Sequence, residues 1–173
     1  KISTHELIGL IESLMESHKK NKGYEKDSWL VNNKNLHKGE RCFILATGPS
    51  LNNLDLSFLK NEKTIGVNGI HKISDQINLD YFIYVSNWYW KNHKEQIESL
   101  KCRRKFFPFE DKTYLSKSQN TSWIKIIRPK YFNRLGYPLK VPLHFSKNPH
   151  KYFFSGGTVI YLALQLALHL GFE

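Results

Sequence analysis

Short apolar runs alternate with polar segments along most of the chain, and their spacing predicts a mixed α/β domain. Five runs have the length of buried strands: residues 43–46, 64–68, 81–85, 105–107 and 123–127. Helical patterns follow the first and the third of them, over 54–59 and 88–100. Because strands separated by helices need crossover connections, we expect an open, largely parallel, Rossmann-like sheet flanked by helices.

Two further helical patterns lie near the ends of the chain. Ser3 and Glu6 have capping-box spacing, and large apolar residues then recur at helical intervals (Leu7, Ile8, Ile11, Leu14, Met15). Residues 154–171 predict a helix that is apolar on nearly all sides and therefore buried, with Gly171 as its C-terminal cap. Residues 1–38 are thus predicted as an N-terminal helix and linker, with 32–38 the polar linker. Residues 39–173 are predicted as the Rossmann-like domain, with the last part of the fold expected beyond the chain.

The first predicted strand runs directly into a polar turn, Thr47-Gly48-Pro49-Ser50. Gly48 can take backbone angles closed to other residues, Pro49 removes an amide donor, and Ser50 offers a hydroxyl. In open α/β sheets anionic ligands bind at such corners, because unpaired amides at the helix start point outward. The turn is therefore a candidate nucleotide site, and the alternative is an ordinary turn that binds nothing. Neither the dinucleotide glycine fingerprint nor a Walker loop is present.

Two other positions have the same ambiguity. Asn68 ends the second predicted strand beside a glycine, where its amide can bind a base or a ribose or can simply form the turn. The last helix is preceded by Ser155-Gly156-Gly157-Thr158, which has small side chains and two hydroxyls. This second corner is a candidate anion or nucleotide site, and the alternative is an N-cap with close packing.

The composition favours an anionic partner without identifying it. The chain has 26 basic and 15 acidic residues and a formal net charge of +11. The basic residues are scattered in pairs and triplets, and no nucleic-acid-reading motif is present, so we expect no nucleic acid partner. No apolar run reaches the roughly 18 residues of a spanning helix, and no signal peptide opens the chain. We expect a cytoplasmic protein with reduced thiols at Cys42 and Cys102, and peripheral contact with the inner face of the membrane stays open.

The two glycine corners together resemble a known group of proteins. Gly48-Pro49-Ser50-Leu51, and Ser155-Gly156-Gly157-Thr158-Val159 opening an apolar helix that ends in Gly-Phe, resemble the MptE-like proteins of bacterial surface-polysaccharide clusters, described as 6-hydroxymethylpterin pyrophosphokinase-like. The chain also looks like the related Campylobacter-type sialyltransferases, which use CMP-sialic acid. The similarity covers residues 41–173 and is concentrated in the two motifs.

The resemblance implies roles for particular residues. Asn68 and Asn87 match asparagines that face the cytidine nucleotide in the sialyltransferases, and Ser155 and Gly156 match their donor-contacting Ser-Gly. Thr47 replaces an asparagine of that pattern, so its hydroxyl supplies only part of the expected contact. The histidine base of such enzymes would lie beyond the end of this chain.

Three functions follow as hypotheses. The first is a glycosyltransferase that uses a CMP-linked acidic sugar and a glycan acceptor, without a metal because no Asp-x-Asp motif is present. His144 and His150, in the proline-rich segment 128–152, are its local candidates for the base. The second is diphosphate transfer from ATP to a pterin alcohol with Mg²⁺, which the few acidic residues near the predicted strand ends disfavour. The third is a nucleotide-sugar-binding module without catalysis.

Overall fold

The computed structural model describes residues 4–85, 90–128 and 144–173, and it has a five-stranded parallel sheet. The strands lie in sequence order across the sheet: β1 Cys42–Leu45, β2 Lys63–Val67, β3 Tyr81–Ile83, β4 Arg104–Pro108 and β5 Thr121–Ile124. A second, two-stranded parallel sheet pairs β6 Ile126–Ile127 with β7 Phe153–Phe154. The expected α/β architecture with a parallel, Rossmann-like sheet is therefore confirmed.

Helices and connections cover both faces of the larger sheet. One face packs against α2 (Ser28–Asn32) and α4 (Val159–Leu170). The other face packs against α3 (Trp90–Ser99) and the remaining crossover segments. Alternate residues of β3 serve the two cores, since Tyr81 belongs to the first and Phe82 to the second, and both are fully buried. Because the strand order follows the chain, the right-handed crossovers between successive strands all lie on one face of the sheet. The other face is covered by α2 and α4, which are not part of these crossovers.

Helix α4 runs antiparallel to β1. At its C-terminal end, the amide of His37 donates to the carbonyl of Leu170 at 2.8 Å, and the amide of Glu173 donates to the carbonyl of Glu40 at 3.0 Å. His37 and Glu40 both lie just before β1 begins. The helix of 12 residues extends about 18 Å, whereas the four residues of β1 extend about 13 Å. We therefore infer that the first turn of α4 lies toward the carboxyl ends of the strands.

Gly171 makes this docking possible. It has a φ of 87°, the left-handed conformation predicted for the residue that caps the helix. A side chain at this position would also bring its Cβ to 2.9 Å from the Cα of Asn35. Only glycine combines that backbone angle with so close an approach.

Gln165 fixes the other half of α4. Its side chain is fully buried and makes four hydrogen bonds. Its Oε1 accepts from the amides of Ser146 and Phe154, both at 3.0 Å. Its Nε2 donates to the carbonyls of Phe154 at 2.8 Å and Tyr161 at 2.9 Å. One polar side chain thus ties β7 and the segment before it to the helix.

The segment 28–40 packs closely on the sheet domain. Leu30 is fully buried in the core that α4 covers. The ring of His37 stacks on Phe172 with centroids 4.5 Å apart, and its Nε2 hydrogen bonds with the hydroxyl of Tyr81 at 2.6 Å. The residues predicted as a polar linker therefore contribute a buried aromatic contact at the start of β1.

Other local predictions differ from the structure. The helix predicted over 54–59 is replaced by two short 3₁₀ helices, Pro49–Asn53 and Ser57–Asn61. The carboxylate of Asp55 accepts from both the amide and the hydroxyl of Ser57, an alternative to helical hydrogen bonding.

Helix α4 is not buried all round, because Leu164 and Leu168 on its outer side are 45% and 56% exposed. The helix covers one sheet face, so its opposite face meets solvent.

The N-terminal helix α1 (Thr4–Lys20) contacts β6. Among the described residues, no helix combines the length and the apolar character needed to cross a bilayer.

We predict that Gln165→Leu lowers the free energy of unfolding by about 2–4 kcal/mol, because it leaves buried backbone donors and acceptors without partners. Urea unfolding measures this change. Gln119→Leu, at an exposed position, is the matched control and should change stability by less than about 0.5 kcal/mol. An equal effect of the two substitutions would show that the buried amide does not hold β7.

Candidate functional site

The edge of the sheet where the parallel strands end collects most of the residues with candidate chemistry. We call it the carboxyl edge, and the opposite side, where the strands begin, the amino edge. Four segments meet the carboxyl edge: 47–50 after β1, Asn68 after β2, Glu110 and Asp111 after β4, and 155–158 between β7 and α4. The first three of these segments directly follow strands of the sheet, and the course that we infer for α4 assigns 155–158 to the same side.

The turn after β1 is exposed from Thr47 to Ser50. The φ of Gly48 is −75°, an angle that other residues also adopt, so this glycine does not use its wider conformational freedom here. A Cβ on Gly48 would meet only the Ser50 hydroxyl, at 3.6 Å. Pro49 begins a 3₁₀ helix of five residues, which explains why no longer helix starts at this corner. The turn can offer two hydroxyls and an unobstructed backbone to a ligand.

The turn before α4 is more constrained. The amide of Ser155 donates to the carbonyl of Ile127 at 2.8 Å, which extends the pairing of β6 with β7. The Ser155 hydroxyl accepts from the amide of Gly157 at 3.4 Å, and Gly157 has a φ of 81°. A Cβ on Gly156 would lie 2.5 Å from the Tyr161 ring. Small residues are therefore required here by packing and by backbone angle, whatever the turn binds.

Thr158 is the N-cap of α4. Its side-chain oxygen accepts from the amide of Ile160 at 3.4 Å, so the N-cap interpretation of this threonine is supported by the geometry. Its side chain is exposed, as is Gly157. The hydroxyl can serve both the helix and a ligand, because an oxygen that accepts one hydrogen bond keeps a proton to donate.

Asn68 joins the ends of two strands. Its φ is 45°, and its Oδ1 accepts from the amide of Val85, beyond β3, at 3.1 Å. Its own carbonyl hydrogen bonds with Nδ1 of His71 at 3.0 Å. The turn-forming role is therefore present, and the side-chain NH₂ is the group that a ligand can use. The predicted nucleotide contact at Asn87 lies outside the described residues.

The two candidate histidines lie at opposite edges. The ring of His144 lies 5.2 Å from that of Phe154, and its carbonyl accepts from the hydroxyl of Tyr161 at 3.2 Å. It is thus beside the turn 155–158. Its Nε2 is buried and has no hydrogen-bond partner in the described part of the chain.

His150 is remote from that turn. Its ring lies 5.8 Å from that of His169, in the last turn of α4, which places it at the amino edge. Burial, followed by the charges of His169 and Lys151, lowers the pKa of His150. The structure therefore brings His144, but not His150, to the edge that carries the two glycine corners.

Two carboxylates at the end of β4 were missed from the sequence. Glu110 forms an ion pair of 2.6 Å with Arg128, which follows β6. Asp111 is only 3% exposed, and its Oδ2 has no hydrogen-bond partner among the described residues. The expectation that few acidic residues lie near strand ends is therefore wrong at β4. The available signal was the acidic pair that closely follows the apolar run ending at Phe107.

Burial changes the chemistry of Asp111. Desolvation, reinforced by the charge of Glu110 and opposed by Arg128, raises the pKa of Asp111 to about 6. A carboxyl with such a pKa can exchange a proton near neutral pH. In the part of the chain that the structure describes, no group of three or more histidine, cysteine or acidic side chains could hold a metal ion.

The two cysteines do not add a nucleophile to the site. Both are free thiols, in agreement with the expectation from the sequence. Burial raises the pKa of each thiol to about 11, so both are protonated at neutral pH. Cys42 opens β1 and Cys102 precedes β4, so both lie at the amino edge.

Comparison of the chain with protein-family models, with curated proteins and with solved structures finds no match. The functional argument therefore depends on the geometry of the carboxyl edge and on its chemistry. That edge combines exposed hydroxyls, small-residue turns beside a helix N-terminus, and a buried carboxyl. Such groups are suited to a phosphorylated ligand more than to an apolar one.

We predict that Asp111→Asn stabilises the protein at about pH 7.5 and has little effect at about pH 4. Because its pKa is raised on folding, the folded state holds this proton more tightly than the unfolded chain does. The resulting stability is present below the ordinary value of 3.8 and is lost as pH rises through about 6. The gain of the variant should reach about 1–3 kcal/mol in urea unfolding at the higher pH.

Asp75→Asn, which removes an exposed carboxyl, is the control for this comparison and should leave stability nearly unchanged at both values of pH. A gain for Asp111→Asn that does not depend on pH would contradict a buried, titrating carboxyl.

Proposed function

We propose that this chain is a glycosyltransferase-like domain that binds a nucleotide-sugar donor, a CMP-linked acidic sugar, at the carboxyl edge. The observation that supports the proposal best is the antiparallel course of α4 against β1. With the end of α4 held at the chain that enters β1, this direction favours a position for the turn 155–158 on the side of the sheet that also carries the turn 47–50. Ligands of open α/β sheets bind outside the carboxyl ends of the strands.

The chemistry of a CMP donor suits these two turns. Its leaving group carries a single phosphate, and hydroxyls and amides are available at both turns to stabilise the charge that develops on it. Thr47 and Ser50 offer exposed hydroxyls on one side, and Thr158 offers an exposed hydroxyl on the other. A formal net charge of +11 favours the approach of an anionic donor.

The reaction requires transfer of one proton. A base takes the proton of the acceptor hydroxyl while the acceptor oxygen bonds to the anomeric carbon of the sugar. The bond from that carbon to the phosphate oxygen breaks, and CMP leaves with the electron pair. We retain His144 as the candidate base, because it lies beside the turn 155–158. His150 is not part of the proposal.

A second candidate function has one observation in its favour. Glu110 and Asp111 place two carboxylates at the carboxyl edge, where they can bind Mg²⁺ and thereby support diphosphate transfer from ATP to a pterin alcohol. Glu110 already pairs with Arg128, which reduces its capacity to hold a metal. A module that binds nucleotide-sugars without catalysis uses the same turns and differs only in the absence of turnover.

We predict that CMP raises the melting temperature of the protein in the presence of EDTA, because a ligand that binds only the folded state stabilises it by mass action. A saturating concentration of about 100 times the dissociation constant should contribute about 2.7 kcal/mol. The measurement is a thermal-shift series with CMP, CDP, UDP and ATP, each with Mg²⁺ and with EDTA. If the only stabilising condition is ATP together with Mg²⁺, the result would favour the diphosphokinase and contradict the CMP site.

We predict that Gly48→Ala and Ser155→Ala each weaken CMP binding about tenfold in calorimetric titration, which corresponds to about 1.4 kcal/mol. Gly48→Ala should fold normally, because its φ of −75° suits alanine and its Cβ meets only one hydroxyl. Its methyl group would, however, obstruct the approach of a phosphate to the backbone of the turn.

Ser99→Ala is the matched control for the serine substitution. Ser99 is exposed on α3, and its hydroxyl donates to the carbonyl of Glu95 at 2.7 Å. It lies in the last turn of that helix, toward the amino edge, and its removal should leave CMP affinity unchanged. Unchanged affinity in both Gly48→Ala and Ser155→Ala would remove the two turns from the binding site.

A further inference from the structure

Two carboxylates and an arginine meet at the carboxyl edge, beside the turn 155–158. Glu110 and Asp111 follow β4, Arg128 follows β6, and the ion pair between Glu110 and Arg128 spans 2.6 Å. Strands β6 and β7 run parallel and their last residues are paired, so the residues that come next, Arg128 and Ser155, are neighbours across the pair. We call Glu110, Asp111 and Arg128 the 110–128 cluster.

Two buried oxygens of the cluster are acceptors without a partner in the described part of the chain. Asp111 is only 3% exposed, and its Oδ2 accepts no hydrogen bond there. Oε2 of Glu110 is also buried and unpartnered, while its Oε1 contacts Arg128. The charges of Glu110 and Arg128 both act on the Asp111 carboxyl, which places it in the same cluster. Because buried polar atoms in proteins are nearly always hydrogen-bonded, these two acceptors point to a ligand with N–H donors.

Arg128 gives the cluster the opposite polarity. Its guanidinium carries five N–H donors and no acceptor, and its contact with Glu110 is made through Nη1. The side chain of Arg128 is 36% exposed and that of Glu110 is 18% exposed, so a ligand approaches from the arginine side. Exposed donors beside buried acceptors suit a flat polar ring in which an amino group lies next to an acceptor atom.

We propose that the 110–128 cluster binds the cytosine ring of the donor nucleotide, an inference that rests on the proposed function. The exocyclic amino group of cytosine has two hydrogens to donate, and aspartate and glutamate are the side chains that accept from it. The ring nitrogen N3 and the carbonyl O2 of cytosine accept from Arg128. The neighbouring position of Arg128 and Ser155 then directs the phosphate of the same nucleotide toward the turn 155–158.

The cluster distinguishes cytosine from uracil. Uracil has a carbonyl oxygen in place of the amino group and an N–H at ring position 3, so its hydrogen-bonding pattern is reversed at both atoms. Its carbonyl oxygen would face the unpartnered oxygens of Glu110 and Asp111, and juxtaposed acceptors repel one another. A site of this kind rejects the wrong ring because its buried polar groups would be left unpaired. The cluster therefore predicts a preference for CMP over UMP.

Calorimetric titration of the full chain with CMP and with UMP, both in EDTA, tests the base site. We expect the wild-type chain to bind CMP at least about tenfold more tightly than UMP. Asp111→Asn should reduce this ratio to below about twofold, because the asparagine amide can donate to the uracil carbonyl as well as accept from the cytosine amino group. Asp75→Asn, at an exposed position, is the matched control and should keep the wild-type ratio.

Arg128→Gln should weaken CMP binding about fivefold or more, because it removes donors to N3 and O2 of the ring. The matched control is Arg41→Gln. Arg41 also forms an ion pair with a glutamate, Glu62, but it lies just before β1, at the amino edge. This control should leave the affinity for CMP unchanged, and circular dichroism verifies that both variants keep the native fold.

The same titrations give the results that would overturn the inference. Equal affinity of the wild-type chain for CMP and UMP, or an unchanged ratio in Asp111→Asn, would remove the cluster from base recognition and leave the CMP donor of the proposed function in place. If neither CMP nor cytidine binds, both the inference and the proposed function are wrong. Binding of Mg²⁺ alone that Asp111→Asn abolishes, with no preference for CMP, would assign the cluster to a metal ion instead.

Discussion

The position of α4 depends on hydrogen bonds at both of its ends, and the rest of the structure depends on that position. At the C-terminal end, the amides of His37 and Glu173 join the helix to the chain entering β1. In the N-terminal half, the buried amide of Gln165 uses all of its donors and acceptors to hold β7 and the segment 144–146. These contacts set the direction of the helix, and its direction decides which turns share an edge.

The same constraint separates two regions with different chemistry. The carboxyl edge holds the exposed hydroxyls, the small-residue turns and the buried carboxyl of Asp111. The amino edge holds both thiols and His150, all of which have pKa values that burial moves away from the charged form. A groove lies at this second edge, where the end of α3 meets the start of β4, and it is lined in part by Glu98, Lys117 and Cys102. A phosphorylated ligand therefore has a physical reason to bind at the carboxyl edge.

The sequence predicted the sheet well because five apolar runs of strand length are separated by segments too polar to be buried. It could not predict features that depend on contacts between distant residues. Gly48 suggested an unusual backbone angle, yet its φ is ordinary and Gly157 has the left-handed one. The buried state of Asp111 arises from packing around the end of β4. Likewise, the helical spacing of α1 was visible in the sequence, but which side faces the domain was not.

The most direct test of a shared site is a titration with CMP followed by amide chemical shifts of the isotope-labelled protein. We expect the amides of 47–51 and of 155–158, Pro49 excepted, to shift together and to saturate with the same dissociation constant. Such a result requires both turns to contact one ligand. Shifts confined to one turn, or to residues that line the groove at the amino edge such as Glu98 and Lys117, would contradict the account.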